Sequence, residues 1–459
     1  MAFGILDDHK LDNVPGTGLL SDKTSNQMTA EEARGLKRGA GKHSHIVLIP
    51  QPSDDPRDPL NWPRWKKEAC FWTIVFTTTV SDALWSIARP AYVQLSKEFH
   101  VSIDEVASSF SSNLLGFAAF TLVQNPFAIK YGHRVVYIVS SLLLGFWFMS
   151  IACGLSFVAV FFFAPETTYK RNSVVESTKH SDVQIHNNDS HRHGVESLSP
   201  ATYLSQLKIY NGTFSNESVF KIFLQPLPFV LSPMTLFALI CYCIPTSLLA
   251  LVSQCASTIF TIEYGFNTVQ IGLTSLTGVV GIALAMLVTG PFNDWVIIQM
   301  SRRNRGIYEP EYRLVFMHSM VIAVLAYAGW AIGNDRHMPW IGAAACMTML
   351  YLSVFISWSP PFTYLIDTHG TNAAHIIVLL KCAKNILSYG ATFFANRVIL
   401  AHGVKATLLV FAACHAACWL ASVVMYVFGK RVRSFVARHP RLFGGDLPER
   451  DLPQSKSKQ

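Results

Sequence analysis

Between Val135 and Pro165 the chain carries no charged side chain, only Val, Leu, Ile, Phe, small residues and a few Ser. At 1.5 Å per helical residue a hydrocarbon core of ~30 Å takes about 20 residues, so this run is too long for one crossing and too short for two. The other apolar segments have ordinary lengths. They lie near Lys67 to Ala88, Val106 to Ile129, Pro233 to Ser257, Gln270 to Ile298, Arg313 to Ile332, Met338 to Tyr364, Ala373 to Leu400 and Ala406 to Phe428, and each predicts a membrane-spanning helix. Polar stretches separate them: 1–63, read as a disordered cytosolic tail; 166–230, a central linker; and 430–459, a basic cytosolic tail. Asp55 to Pro63 is dense in Pro, which delays helix formation, while Asn61 can cap a helix and Trp62, Trp65 and Trp72 suit the headgroup level.

Composition narrows the class. Hydrophobic residues make up 51% of the chain and charged residues 14%, with mean hydropathy +0.31, against roughly 25% charged for a soluble domain. A net charge of +8 raises nucleic acid as a partner, but the basic residues sit at the ends of apolar runs, where they set topology instead. The nine cysteines fall almost entirely inside apolar runs and none shows CxxC spacing, so neither a metal site nor a disulfide framework is expected. His186, His191 and His193 lie in the linker with irregular spacing and read as a solvated loop. No GxSxG, Walker A or HExxH motif occurs, which disfavours hydrolysis and ATP-driven transport; neither an enzyme nor a cofactor is expected.

Polar residues inside the apolar runs are the candidate functional residues. Asp82 lies in the first span, where a carboxylate is costly unless it faces water or a partner; a helix-end residue reaching water near Arg89 is the competing reading. Asn113 in the second span either lines a cavity or bonds a neighbouring helix. Tyr242, Gln254, Tyr351, Ser357, Trp358 and Tyr389 could line an aromatic cavity or serve as interhelical contacts. Gly272, Gly278 and Gly281 make a thin helix face for close packing, and Pro245 and Pro360-Pro361 break helix hydrogen bonding at membrane depth.

Loop charge orients the spans. Arg302, Arg303, Arg305 and Arg313, then Lys381 and Lys384, then Lys430, Arg431, Arg433, Arg438 and Arg441 alternate with poorly charged loops, placing these three regions and the linker in the cytosol. Asn188, Asn211 and Asn216 head glycosylation acceptor patterns that a cytosolic linker would leave silent. Three full crossings from a cytosolic N-terminus would instead leave the linker outside. The reading that keeps both charge signals has the 135–165 run lying as a re-entrant or interfacial segment rather than crossing.

The short basic connection Lys130-Tyr131-Gly132-His133-Arg134 resembles the loop between helices two and three of the major facilitator superfamily, G-x-x-x-D-R-x-G-R-R. Gly132 and Arg134 match, while Ile129 stands at the acidic position and Asn125 at the first Gly. Gly290-Pro291-Phe292-Asn293-Asp294 with Arg302-Arg303 resembles its repeat, with the acidic residue present. Val47 to Ser53, Asp58 to Trp62, Pro165 to Tyr169 and Arg303 to Leu314 look like landmarks of fungal members of the drug:proton antiporter branch, so the resemblance covers about residues 47 to 435.

The resemblance implies an all-α membrane protein, a major facilitator-type helical bundle. In that family the Pro-Glu-Thr landmark follows helix six, yet here it closes the run that begins as helix three. Helices four, five and most of six are thus expected to be missing, through internal deletion or unusual splicing. The N-terminal bundle, 64–165, would hold about three spans, and the C-terminal bundle, 231–429, a complete six. The implied function is proton-coupled secondary transport of a small organic molecule by alternating access, in the plasma membrane, by a monomer whose partners are lipid, substrate and protons. Asp82 is the proton-coupling candidate, and Gly132, Arg134, Gly290, Asp294 and Arg302 are candidates for the clamp between bundles. The alternative is a transport-inactive remnant acting only as a membrane interaction protein.

Overall fold

The computed structural model describes residues 3–8, 11, 14–19, 59–86, 89–143, 158–162, 164, 218–224, 226–439 and 443. In chain order its elements are β1 (Gly18–Leu19), α1 (Arg64–Ser86), α2 (Tyr92–Phe99), α3 (Ile103–Tyr131), α4 (His133–Leu143), α5 (Val219–Leu224), α6 (Pro233–Tyr264), α7 (Thr268–Thr274), α8 (Leu276–Thr289), α9 (Pro291–Arg303), β2 (Ile307–Tyr308), α10 (Met320–Asp335), α11 (Trp340–His369), α12 (Ala373–Thr392) and α13 (Ala395–Arg438). Short 3-10 turns join several of them, the longest at Pro310–Ser319 leading into α10. Among the described residues six stretches are long and apolar enough to cross a bilayer: α3, α6, α7 through α9, Pro310–Asp335, α11 and α13.

The helix ends follow local chemistry. Ser102 and Glu105 form a reciprocal capping box at the start of α3, each accepting the other's backbone N–H, at 3.1 and 2.8 Å. Asn267 and Gln270 do the same at the start of α7. Gly265, at φ +64°, ends α6 in the left-handed conformation that glycine adopts without strain. Pro245 and Pro360-Pro361, each lacking the N–H that a helix bond needs, lie inside α6 and α11, which run through them. A break falls at Gly403, at φ +80° and ψ 162°, so that α13 comprises two helical stretches across a kink. The last span therefore runs from the kink to Arg438, ten residues beyond its expected end at Phe428.

The chain forms two compact units. The larger comprises 1–21, 85–123 and 222–459. In it α6 packs against α11, α12 and α13, α10 against α11 and α13, and α8 against α11. Trp330, Tyr327, Phe260, Ala323, Ala343 and Leu350 are fully buried at the centre of one core cluster. Lipid tails are as apolar as these side chains, so close van der Waals fit rather than water exclusion holds such helices together. Gly281 shows how close: a Cβ there would stand 2.7 Å from the Thr348 carbonyl on α11. Gly278 faces the Tyr351 ring, whereas Gly272, expected on the same thin face, opens onto free space.

The smaller unit comprises 22–84 and 124–221. Cys70, Ile138, Val160 and Ala164 form its described core, with Ile74, Tyr137 and Phe161 packed around them. Arg134 is buried there, and its Nη2 donates to the Phe161 carbonyl at 3.1 Å. A straight helix would hold residues 27 positions apart at about 40 Å, so the two ends of the long apolar run come together where a single crossing would separate them. Residues 144–157 of that run, and the linker with its histidines and acceptor asparagines, lie outside the described residues.

The first residues depart from the disordered tail that polarity predicts. Ile5 and Val14 are buried, and Gly18–Leu19 pairs antiparallel with Ile307–Tyr308. A few apolar side chains and a surplus of buried guanidinium donors suffice to order a segment whose average composition is polar.

Candidate functional site

The best-developed polar and aromatic constellation inside the apolar helices lies on α6 and α11. Tyr242 stacks on Trp358, with ring centroids 6.0 Å apart and planes 19° apart, and meets Phe362 edge-on at 4.7 Å. Phe355 meets the other side of Trp358 at 5.1 Å. Farther along the same pair of helices, the Ser253 and Tyr351 hydroxyls are hydrogen-bonded at 2.7 Å. Gln254 is buried, and its Oε1 has no partner among the described residues. Tyr242 lies nine residues from the start of α6 and Trp358 eleven from the end of α11, about 14 to 17 Å along each helix from that end. The arrangement can hold a flat or apolar body against aromatic faces and offer hydroxyl and amide groups to its polar parts.

The other sequence candidates are more scattered. Tyr389 sits on α12 against Phe393 and does not join the stack, and Asn113 is exposed on α3. Asp82 lies on α1, and its side chain is outside the described residues. Gly132 links α3 to α4 at φ +95°, a conformation that favours glycine. Gly290 precedes α9, and Asp294 is exposed in its first turn, with no ion pair among the described residues. Arg302 lies in the last turn of the same helix, two turns on, too far along it to pair with Asp294.

Lys381 and Lys384 require a correction. Loop charge placed them at the cytosolic edge, but α12 starts at Ala373, so they stand about 12 and 17 Å along it. Counting charges along a sequence assigns them to the nearest loop, whereas the helix boundary puts them within α12. The Lys384 carbonyl accepts from Ser247, whose hydroxyl also meets that of Ser388 at 2.8 Å. Lysines inside an otherwise apolar run were the signal that could have marked them as candidates.

Three further clusters escaped sequence reasoning. Asp104, in the first turn of α3, accepts the backbone N–H groups of Asn396 and Arg397 at the start of α13, both at 3.0 Å. Arg433 is buried with Glu309 and Glu311: Nε and Nη2 donate to the Glu311 carboxylate at 2.9 and 2.8 Å, and Nη2 also to Glu309 at 2.8 Å. Lys430 adds a second cation, 2.8 Å from Glu309. Gly429 makes the room, since a Cβ there would collide with the Glu311 carboxylate at 2.6 Å. Beside this cluster Arg313 pairs with Asp367 at 2.6 Å, and Tyr308 donates to the same carboxylate at 2.5 Å. Burial and that hydrogen bond to Asp367 push the Tyr308 phenol well above its usual range. Arg303 to Leu314 had been read as a landmark, but its charges gain meaning only from distant residues, Asp367 and Arg433. Among the described residues no group of three His, Cys, Asp or Glu could hold a metal ion.

A scan against protein-family models finds no match. Curated relatives do match. Protein HOL1 of Saccharomyces cerevisiae is 21% identical over 574 residues, covering 94% of this chain and 97% of the relative. The MFS-type transporter penM of Penicillium rubens is 24% identical, covering 83% of this chain and 88% of its own length. An uncharacterized MFS-type transporter of Schizosaccharomyces pombe is 35% identical over 144 residues, 31% of this chain. With the helices described above, these likenesses give the fold class: an all-α, multi-pass membrane protein of major facilitator type.

Proposed function

We propose that the chain is a secondary active transporter that moves a small organic molecule across the membrane by alternating access, coupled to protons through Asp82, and that it belongs to the drug:proton antiporter branch and works at the plasma membrane. The observation that carries this reading is the stack of Tyr242 and Trp358 between α6 and α11, with Gln254 and the Ser253–Tyr351 pair along the same helices. The transporter names of the relatives support it. In this mechanism substrate rests on the aromatic faces, and Asp82 exchanges its proton as the open side alternates.

The meeting of Arg134 with Phe161 supports a topology in which the apolar run enters and leaves on one side. Eight crossings then join a cytosolic N-terminus, a cytosolic linker and a cytosolic basic tail without conflict. The second reading, a transport-inactive remnant, draws on the HOL1 alignment. Its 574 residues exceed the 459 of the whole chain, so the relative carries over a hundred positions with no counterpart here, in keeping with missing helices.

Uptake of candidate organic solutes into vesicles that hold the purified protein, with an imposed proton gradient, separates the two. Gradient-driven uptake that Asp82→Asn abolishes is expected. Uptake that survives this change removes Asp82 from coupling, and no uptake by the unmutated protein leaves the remnant.

A further inference from the structure

The residues that begin the chain are seated on the elements that end it. The Leu6 N–H donates to the Val427 carbonyl at 3.0 Å, and the Tyr426 hydroxyl donates to the Phe3 carbonyl at 3.0 Å. The Phe3 ring meets Tyr312 edge-on at 6.1 Å. Asp7 takes Lys430 at 3.2 Å, and its carbonyl accepts from Arg431 Nε. Beyond Val14, Arg433 Nη1 donates to the Pro15 carbonyl and to the Thr17 hydroxyl, which donates in turn to Glu309 at 2.8 Å. Gly18 and Leu19 then pair with Tyr308 and Ile307. Gly16, at φ +89°, lets the chain pass close to the Asp367 carbonyl and the Pro310 ring.

Two features distinguish this from a tail resting on a surface. Ile5 is 1% and Val14 5% exposed, so the segment contributes to the core of its unit rather than lying over it. Arg433 is also incomplete without the segment. Its five donors reach two carboxylates through Nε and Nη2, and among the described residues Nη1 donates to Pro15 and Thr17 alone. A buried guanidinium with an empty side is costly, because the low local dielectric that strengthens its ion pairs also penalises each unmade hydrogen bond.

We infer that residues 3–8 and 14–19 form a latch that closes the basic end of the helix array, completing the buried Arg433–Glu309–Glu311 network and tying β2, the end of α11 and the end of α13 into one body. The segment precedes its seat in the chain, with partners separated by 416 to 424 residues, so the latch closes only when α13 is in place. It acts whether or not the chain transports. Its surface on β2 and α13 fits one occupant, a short extended stretch with two apolar anchors, a carboxylate between them and a hydroxyl at its end.

Hydrogen exchange of the full chain in detergent tests this, read by mass spectrometry over residues 3–19. Slow exchange is expected in the unaltered protein, with at least a tenfold acceleration in Val14→Asp and a smaller one in Thr17→Val. A second measurement puts the substitution on a separate peptide. A synthetic peptide of residues 1–20, added to the chain lacking residues 2–19, should restore protection of Lys430 against acylation, and the same peptide with Val14→Asp should not. Free-chain exchange rates over 3–19 in the unaltered protein would overturn the latch. So would Lys430 reactivity that neither the deletion nor the peptide changes.

Discussion

The carboxylate of Asp104 caps the start of α13 by accepting the backbone N–H groups of Asn396 and Arg397, each at 3.0 Å. The first N–H groups of a helix have no partner within it, and the helix dipole favours negative charge there. An acid in the first turn of α3 thus fixes where a helix nearly three hundred residues later begins. Asp104→Ala is expected to lower stability by about 1 to 2 kcal/mol, and Asp104→Asn by less, since the amide keeps one acceptor. Unfolding in detergent followed by circular dichroism measures both; equal stability of all three proteins would show that the cap contributes nothing.

The Arg433 network gives a larger effect. Arg433→Ala leaves the buried Glu311 carboxylate without its cation and Glu309 with Lys430 alone, and should cost about 3 to 5 kcal/mol. Arg433→Lys should recover only part of this, because an ammonium cannot reproduce the paired donation to Glu311. Adding Glu311→Gln to Arg433→Ala should restore some of the loss. The yield of monodisperse protein on gel filtration orders the variants.

Two glycines, one on α7 and one on α8, should behave oppositely. Gly281→Ala forces α8 and α11 apart and is expected to cost about 1 to 3 kcal/mol. Gly272→Ala meets open space and, with the better helix propensity of alanine, should be neutral or slightly stabilising. Melting temperatures of the two variants suffice, and the same change in both would contradict the packing.

Tyr308 makes stability depend on pH at the alkaline end. Its pKa is raised above the ordinary phenol value of 10.0 by burial first and by the Asp367 hydrogen bond next, so the folded state holds the phenolic proton more tightly than the unfolded chain does. This contribution is complete below pH 10 and is lost as pH rises through the unfolded value toward the folded one. Tyr308→Phe should therefore flatten the fall of melting temperature above that pH. An unchanged slope would place the alkaline loss elsewhere.

If the apolar run returns to the side it left, the linker stays in the cytosol. Protein made in eukaryotic cells should then show no mobility shift on treatment with a glycosidase that removes N-linked glycans. A shift abolished by Asn211→Gln would put the linker on the lumenal side and restore a full crossing.

Much of the fold is legible in the sequence because bilayer thickness imposes a length on every crossing. Apolar runs of that length give α3, α6, α11 and their neighbours directly, and capping boxes such as Ser102–Glu105 are local signals. Tyr242 and Trp358 were legible as candidates by residue type and depth. Their stacking was not, because 116 positions separate them and the register of α6 against α11 is set by packing.

The sequence by itself determined an all-helical membrane protein with a run of anomalous length between Val135 and Pro165, since apolar length and charge are local properties. Only the tertiary structure decided that Arg134 meets Phe161, that Lys381 stands within α12 rather than in a loop, and that Phe3, Leu6 and Asp7 meet the end of α13. Each of these depends on which distant donor satisfies which buried acceptor, and in a low-dielectric interior that choice is made by packing geometry, on which composition and periodicity carry no information.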